Sequence, residues 1–565
     1  MLNFPLKLIT ASSALSIYII AAYLPDQHAL FAYTRNFILA WIVHVFIWIV
    51  CKVIVYPKFT SPLRYLPSPE GGSWWNGQYP TIAKYPTGKP MVSWIHKVPN
   101  DGIMRYLGMF NSERVLITSP TALREVLSTR NYDFIKPVHV AVGLGRLLGI
   151  GVLLAEGEDH KRQRRNLLPA FAFRHIKNLY PGFWEKSIEV VEAMTAEVRA
   201  GGIAYDELPE FQKKSGPRPE ANSPAVIEVG DWASRATLDI IGVAGMGQDF
   251  QAVRDPTTEL NRTYRKVFKP CREAQILGLM NNFLPAWFVS RVPMKRNGDI
   301  EAAASVIRDI CRKMIRIKKE KAEKNQLTDY DILSVALQSG GFSEENLVDQ
   351  MMTFLAAGHE TTSGAMTWAI YLLSVHQSVQ SRLRDEIRAT LPPLNSVETV
   401  TSYQIDNMPY LNAVCNEVLR YFPPVGLTMR DAIVDTSILG HRIPKGTRII
   451  ISPLAINRCE ELWGPNAQKF DPERWLPSET NPYPANGGAA SNYSFLTFLH
   501  GPRGCIGQAF SKAEFACLLA AWIGRFEFEL NDERELIEDN LVIKGGVTSK
   551  LGRGLFVKTK IVDGW

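Results

Sequence analysis

Phe498-Leu499-His500-Gly501-Pro502-Arg503-Gly504-Cys505-Ile506-Gly507 precedes a helix-compatible stretch from Gln508 to Trp522. That order predicts a cysteine at a helix start, where free backbone N–H groups and the helix dipole stabilise an anion and draw the thiol toward thiolate. Gly504 and Gly507 flank it without side chains, so a flat ligand can approach the backbone, and a thiolate presented in this way can ligate haem iron. A lone cysteine is most often an inert buried side chain. That reading leaves unexplained why Phe498, Gly501, Arg503, Cys505 and Gly507 fall together at this spacing.

F-x-x-G-x-R-x-C-x-G is the signature of the cytochrome P450 family, which the chain resembles from about residue 60 to its end. Further motifs carry the resemblance independently. Glu417-Val418-Leu419-Arg420 is an E-x-x-R pair that a helix brings side by side, and Phe470-Asp471-Pro472-Glu473-Arg474-Trp475 contains the family's P-E-R-W element. The resemblance implies that Arg474 joins Glu417 and Arg420 in a buried, structural ion network. Ala357-Gly358-His359-Glu360-Thr361-Thr362 interrupts the apolar run from Met351 to Val375 and matches A-G-x-[DE]-T-[TS]. Gly358 is expected to leave space there, and Thr361 to bond the Ala357 carbonyl and loosen one turn. In the resembled family this acid and alcohol, here Glu360 and Thr361, relay protons for the cleavage of dioxygen. Helix packing with a Ser/Thr back-bond is the bland reading of the same residues.

The resemblance also distributes roles over the arginines. In Gly157-Glu158-Asp159-His160-Lys161-Arg162-Gln163-Arg164-Arg165, Arg164 matches the arginine of W-x-x-x-R that binds a haem propionate, with His160 in place of the usual Trp. Arg430 and Arg503 match two more propionate-binding arginines, and Phe498 and Gly507 complete the cofactor set around Cys505. Lys161, Arg162, Arg165 and Lys512 remain as a basic surface expected to steer an acidic reductase; a solvated helix face is what most charge runs are. Gly143-Leu144-Gly145-Arg146-Leu147-Leu148-Gly149 hints at a dinucleotide loop, but its last spacing is one residue too long and no clear strand leads into it.

The implied protein is mainly α with small β-sheets, a cytochrome P450 fold. Its implied cofactor is haem b (iron protoporphyrin IX), with the Cys505 thiolate as axial ligand. The implied activity is a monooxygenase fed with NADPH electrons by NADPH-cytochrome P450 reductase. Two alternatives are a reductase-independent isomerase or dehydratase and a non-enzymatic haem-binding membrane protein. Glu360 in place of the commoner Asp, Asn457, Asn466, His160 and the Ser478 to Ser491 insertion resemble filamentous fungal members, many of which tailor terpenoid or polyketide products. The rim segments Ile135 to Gly151, Phe354 and Ala357, Pro424 to Thr428, and Gly545 to Thr548 are largely apolar and suit a lipophilic small molecule.

Outward from these motifs, the chain's other end carries two apolar runs, about residues 8–24 and 36–55. A bilayer core takes about 20 helical residues, so 1–56 reads as an anchor of one or two transmembrane helices in membrane lipid. Lys52, Lys58 and Arg64 place the body on the cytosolic side, which suits the endoplasmic reticulum. Pro57, Pro62, Pro67 and Pro69 predict a stiff, poorly helical hinge over 57–72, ahead of a haem-binding catalytic domain over 73–565. Runs such as Arg114 to Ser119 and Thr447 to Ser452 predict strands, and Lys213 to Ser223 and Ser478 to Ser491 predict surface insertions. With 565 residues, 46% apolar and 21% charged, the chain has the composition of a large globular protein. A net charge of +7, scattered along it, gives no argument for nucleic acid. Seven cysteines without a CxxC pair argue against structural zinc and for a reducing compartment.

Overall fold

The computed structural model describes residues 5–23, 30–213, 224–269, 271–281, 284–324, 326, 330–479, 484 and 486–565. At the N-terminal end the apolar runs form α1 (Leu6–Tyr23) and α2 (Leu30–Val50). α2 continues as a wider, π-type coil through Cys51–Thr60. Its apolar part, Ala32–Thr60, is 29 residues long. The 21 α-helical residues Leu30–Val50, at 1.5 Å per residue, by themselves span about 32 Å, which a bilayer core requires. Among the described residues it is the one helix long and apolar enough to cross a membrane; Leu6–Ile20 is a shorter apolar stretch. Ser13 Oγ lies 3.3 Å from His44 Nδ1 and ties α1 to α2.

The expected hinge is corrected at its start. Pro57 sits inside the helical coil, and the chain leaves the helix only at Ser61. The wider coil accommodates the proline ring, which would clash with the preceding turn of a regular α-helix. Ser61 then accepts the Leu63 N–H and opens a short 3-10 turn, Pro62–Tyr65.

Glu113–Ile117 and Arg448–Ile451 are strands, as their β-branched composition requires, and pair in parallel with Arg114 opposite Arg448. They occupy the middle of a five-stranded sheet in the order Ile103–Leu107, Glu113–Ile117, Arg448–Ile451, Thr428–Ala432, Phe134–Ile135. A three-stranded sheet, Ala225–Glu228, Phe556–Ile561, Phe526–Leu530, and two two-stranded ribbons are the other β elements among the described residues, and helices make up most of the body. α3 (Val138–Leu148) contains Gly143 and Gly145, so the glycine-rich stretch is helical and forms no dinucleotide loop. α4 (Gly157–Leu167) carries the basic run. α5 (Tyr180–Arg199) packs on α6 (Val229–Ile240) and on α9 (Gln508–Arg525), and α6, α8 (Pro409–Tyr421) and α9 pack around the longest helix, α7 (Glu344–Val375).

α7 is capped by Ser343, whose hydroxyl accepts the Asn346 N–H at 3.3 Å, with Glu344 and Glu345 in its first turn. Its 32 residues span about 48 Å and stay helical through Ala357 to Thr362, so the polar cluster sits in a continuous helix and the expected loosening of one turn is not seen. Thr361 Oγ1 does donate to the Ala357 carbonyl at 2.8 Å, without opening the turn. Gly358 has a different reason from the one expected. A Cβ there would stand 3.0 Å from Ile241 Cδ1 and Cγ1, so the glycine lets α7 pack tightly on the segment after α6. Fully buried Trp368 stacks on Phe422 at a ring distance of 3.9 Å. Truncating such a Trp to Ala costs about 3–5 kcal/mol.

Of the expected insertions, 214–223 lies outside the described residues, as do 480–483 and 485. The rest of the second is not all surface: Ala489 is buried beside Trp463 and Ala467.

Candidate functional site

The cysteine segment is held by backbone geometry. Leu499 and Gly501 have φ of 54° and 73°, and a Cβ on Gly501 would strike the Leu127 carbonyl. The Cys505 N–H donates to the Phe498 carbonyl at 2.8 Å, and the Gly504 N–H to Gly501 at 2.9 Å. Cys505 stands ahead of α9, which begins at Gln508, rather than inside its first turn. Cys505 keeps accessible surface although protein atoms crowd around it. Burial raises the thiol above its ordinary range, while the Gly507 N–H and Arg164 pull the other way. The expected drift to thiolate is therefore outweighed by burial in the protein by itself, and a cation at the sulfur is what reverses it. A Cβ on Gly507 would meet only Phe171, at 3.8 Å, which leaves room for a flat ligand beside the sulfur. Phe171 in turn contacts Phe354 of α7 at a ring distance of 5.3 Å, and Thr362 Oγ1 lies 3.2 Å from Ser511 Oγ of α9. These contacts bring the half-buried Ala357 and Thr361 face of α7 to the same interior region.

Around the segment gather Arg164, Arg430 and Arg503, with His160. Arg164 Nη1 donates to the Gly504 carbonyl at 2.8 Å. Arg503 is ion-paired with Glu156 through Nη1 and lies 5.1 Å over the Tyr132 ring; its guanidinium is buried, and Nε and Nη2 have no acceptor among the described residues. Arg430 is 3% exposed, donates to the Met429 carbonyl at 2.8 Å, and is pushed down to about 10 by burial and then by Arg503. Buried His160 stands 3.3 Å from the Tyr132 hydroxyl; burial, then Arg503, Lys136 and Arg164, lower it to about 4, so the ring is neutral and can donate one N–H.

Lys136 belongs to the same cluster and escaped the sequence reading. Burial, then the Arg430 charge, push its ammonium down to about 7, with Glu156 opposing. The Lys136 N–H donates to Glu156 Oε1 at 3.0 Å. Lys136 and Glu156 are 20 residues apart and match no motif, so only the fold brings them together. Three cationic side chains, Lys136, Arg430 and Arg503, thus act on one carboxylate, Glu156, with Arg164 close by at the Gly504 carbonyl. Such an imbalance inside a protein fits a ligand with two carboxylates, as haem has in its propionates, and the cysteine sulfur and bare Gly507 fit its iron and ring.

The second pair is split. Thr361 donates to its own backbone, whereas the Glu360 carboxylate turns toward the C-terminal segment, accepting from Thr548 Oγ1 at 3.0 Å and pairing with Lys550 Nζ at 2.6 Å. Burial raises the Glu360 carboxyl, opposed by Lys550 and Thr548. By contrast Glu417, Arg420 and Arg474 meet as the resemblance implies: Arg420 grips both Glu417 oxygens at 2.7 and 2.8 Å, and Arg474 Nε stands 3.2 Å away.

The basic surface is smaller than expected. Lys512 is half-buried and donates to Asn416 Oδ1 at 2.7 Å, while Lys161 and Arg162 pair with Glu158 and Asp159 on their own helix. A concavity of about 410 Å³ opens at the start of α9, bordered by Ile506, Gln508, Ala509, Lys512 and Asp406.

The family model described as cytochrome P450 matches residues 67–551. Cytochrome P450 monooxygenase ALT8 of Alternaria alternata is 42% identical over 557 residues, covering 92% of this chain and 93% of the relative. Cytochrome P450 monooxygenase sphH of Aspergillus fumigatus is 44% identical over 521 residues, with 91% of each chain covered. Cytochrome P450 monooxygenase FUM15 of Gibberella moniliformis is 42% identical, with 91% of this chain and 90% of the relative covered.

Proposed function

The chain belongs to the cytochrome P450 family of haem-thiolate monooxygenases, and on that premise we propose that Cys505 is its axial ligand and that it oxidises a lipophilic small molecule. The observation that carries this reading is the surplus of cations over carboxylates gathered beside Cys505. Haem bound there supplies the activation of dioxygen and the transfer of one oxygen atom to substrate.

The protein's own residues do the rest. Arg164, Arg430, Arg503 and neutral His160 would hold the propionates, with Lys136 adding positive charge to the same cluster. The Gly507 N–H and the Arg164 guanidinium favour the charged form of the sulfur. Phe498 supplies the carbonyl that fixes the Cys505 backbone. Glu360 and Thr361 deliver protons to the reacting face of α7. The rim segments around Phe354, Pro424 to Thr428 and Gly545 to Thr548 select an apolar substrate, a fungal secondary metabolite of terpenoid or polyketide type.

Electrons come from NADPH through cytochrome P450 reductase, an acidic partner docking near Arg162 and Arg165 and the concavity at the start of α9. α2 anchors the protein in the endoplasmic reticulum membrane with the body toward the cytosol; α1, tied to it through Ser13 and His44, forms the second arm of a hairpin. The test is coexpression with a reductase and product analysis across lipophilic metabolites under labelled dioxygen. A product carrying one labelled oxygen and requiring NADPH is expected; conversion without NADPH or label contradicts the reading.

A further inference from the structure

His160 stands where the motif has an indole, and the exchange adds something the site must control. An indole carries one N–H and can donate only from there, whereas a neutral imidazole keeps its single proton on either ring nitrogen and accepts at the other. His160 is 3% exposed and shares a face of α4 with Arg164, four residues on, within reach of the charges of Arg503, Lys136 and Arg164. Its Nε2 has no hydrogen bond among the described residues, and with the proton on Nδ1 that nitrogen would offer a bare lone pair to an anion.

Nδ1 is the occupied nitrogen. It lies 3.3 Å from the Tyr132 hydroxyl, with the two rings edge to face at 6.2 Å. The tyrosine is held firmly. It belongs to the short 3-10 turn Asn131–Asp133, which leads into the strand Phe134–Ile135 beside the strand that carries Arg430, and the Ile433 N–H donates to the Asp133 carbonyl at 2.9 Å. Lys161 Nζ lies 4.6 Å and the Arg503 guanidinium carbon 5.1 Å from the centre of its ring. Positive charge that close draws electron density away from the hydroxyl oxygen and favours donation from the O–H over acceptance. The neighbouring acids are engaged elsewhere: Asp159 holds Arg162 and Gln163 Nε2, and Glu156 holds Arg503 and the Lys136 N–H.

We propose that Tyr132 is a positioning residue for the haem site: its hydroxyl donates to His160 Nδ1, fixes the ring proton on Nε2, and so gives His160 the free N–H that a tryptophan carries by itself. The hydrogen bond at one ring nitrogen decides which nitrogen keeps the proton. No proton changes owner and no covalent bond forms. This rests on the reading of His160 as a propionate donor, and it makes the replacement of the indole a two-residue device, with an imidazole on α4 and a phenol 28 residues earlier (160 − 132).

The test uses the full-length holoenzyme in its reduced, carbon monoxide-bound form, isotope-labelled at the histidine nitrogens, with Y132F, H160A, H160W and Y132F/H160W variants. H160A identifies the His160 signals, nitrogen NMR reads which ring nitrogen carries the proton, and haem transfer to apomyoglobin reads the grip on the cofactor. Wild type is expected to hold the proton on Nε2. Y132F should spread it over both nitrogens and lose haem severalfold faster, whereas H160W should lose haem at the same rate with or without the Tyr132 hydroxyl. A proton on Nδ1 in wild type, a tautomer unmoved in Y132F, haem loss unmoved in Y132F while H160A speeds it, or an equal acceleration by Y132F in the H160W background overturns the role of Tyr132. Haem loss no faster in H160A than in wild type overturns instead the reading of His160 on which it rests.

Discussion

Two clusters of buried charge lie within the catalytic body, and they are balanced in opposite ways. Around Glu417 the charges close on themselves: Arg420 and Arg474 face the carboxylate, Trp475 Nε1 and the Asp471 N–H donate to it at 2.9 and 2.8 Å, and the remaining Arg420 nitrogens donate to the carbonyls of Asn457, Ala467 and Lys469. Around Arg503 the charges stay open, with Lys136, Arg430 and Arg503 set against the single carboxylate of Glu156, Arg164 close by at the Gly504 carbonyl, and Arg503 Nε and Nη2 without acceptors among the described residues. A closed cluster holds a fold together. An open one is built for a partner of opposite charge, and its cost in the protein by itself is recovered when that partner binds.

Breaking the closed cluster has the largest expected effect. Arg420→Met strands the Glu417 carboxylate in the interior, a loss of about 3–5 kcal/mol, and chemical denaturation should read it with or without haem. Arg430→Leu sharpens the contrast, because it removes surplus charge from the open cluster. The apoprotein should melt no lower than wild type, whereas haem should pass to apomyoglobin severalfold faster. A drop in apoprotein melting like that of Arg420→Met would erase the distinction between the clusters.

Lys136 gives the same contrast as a pH dependence. Its folded value, about 7, lies below the ordinary lysine value of about 10.4, so between these the unfolded chain holds more protons. Apoprotein stability should therefore rise with pH from about 7 to about 10.4 and lose that contribution below, as folded and unfolded states are both protonated. Lys136→Met should flatten the slope, and bound haem should shrink it. The smallest effect belongs to exposed charge. Reversing Arg162 and Arg165 to Glu should change stability by less than about 0.5 kcal/mol, as surface pairs do, while slowing reductase-driven haem reduction at low salt. Unchanged reduction rates would remove this surface from the docking site.

What the sequence made legible was whatever lies close in the chain or carries a fixed spacing. The Phe498 to Gly507 segment, the Glu417 and Arg420 pair on one helix face, and the β-branched runs at Glu113–Ile117 and Arg448–Ile451 are of that kind. What it hid depends on contacts across the fold. Lys136 meets Arg430 although 294 residues separate them (430 − 136), and Lys550 meets Glu360 across 190 (550 − 360). Gly358 read as space for a ligand because nothing local reveals that Ile241 packs there. Lys512 read as a surface cation, since charge alone does not tell that Asn416 covers it. Pro57 read as a helix end, but a wider coil carries the helix past it.

The central claim is that the sulfur of Cys505 is what binds the iron. Purified Cys505→Ser protein, reduced and exposed to carbon monoxide, tests it in one spectrum. The account requires the thiolate-type band of wild type to vanish, with the apoprotein fold retained by circular dichroism; an unchanged band with unchanged turnover would contradict it.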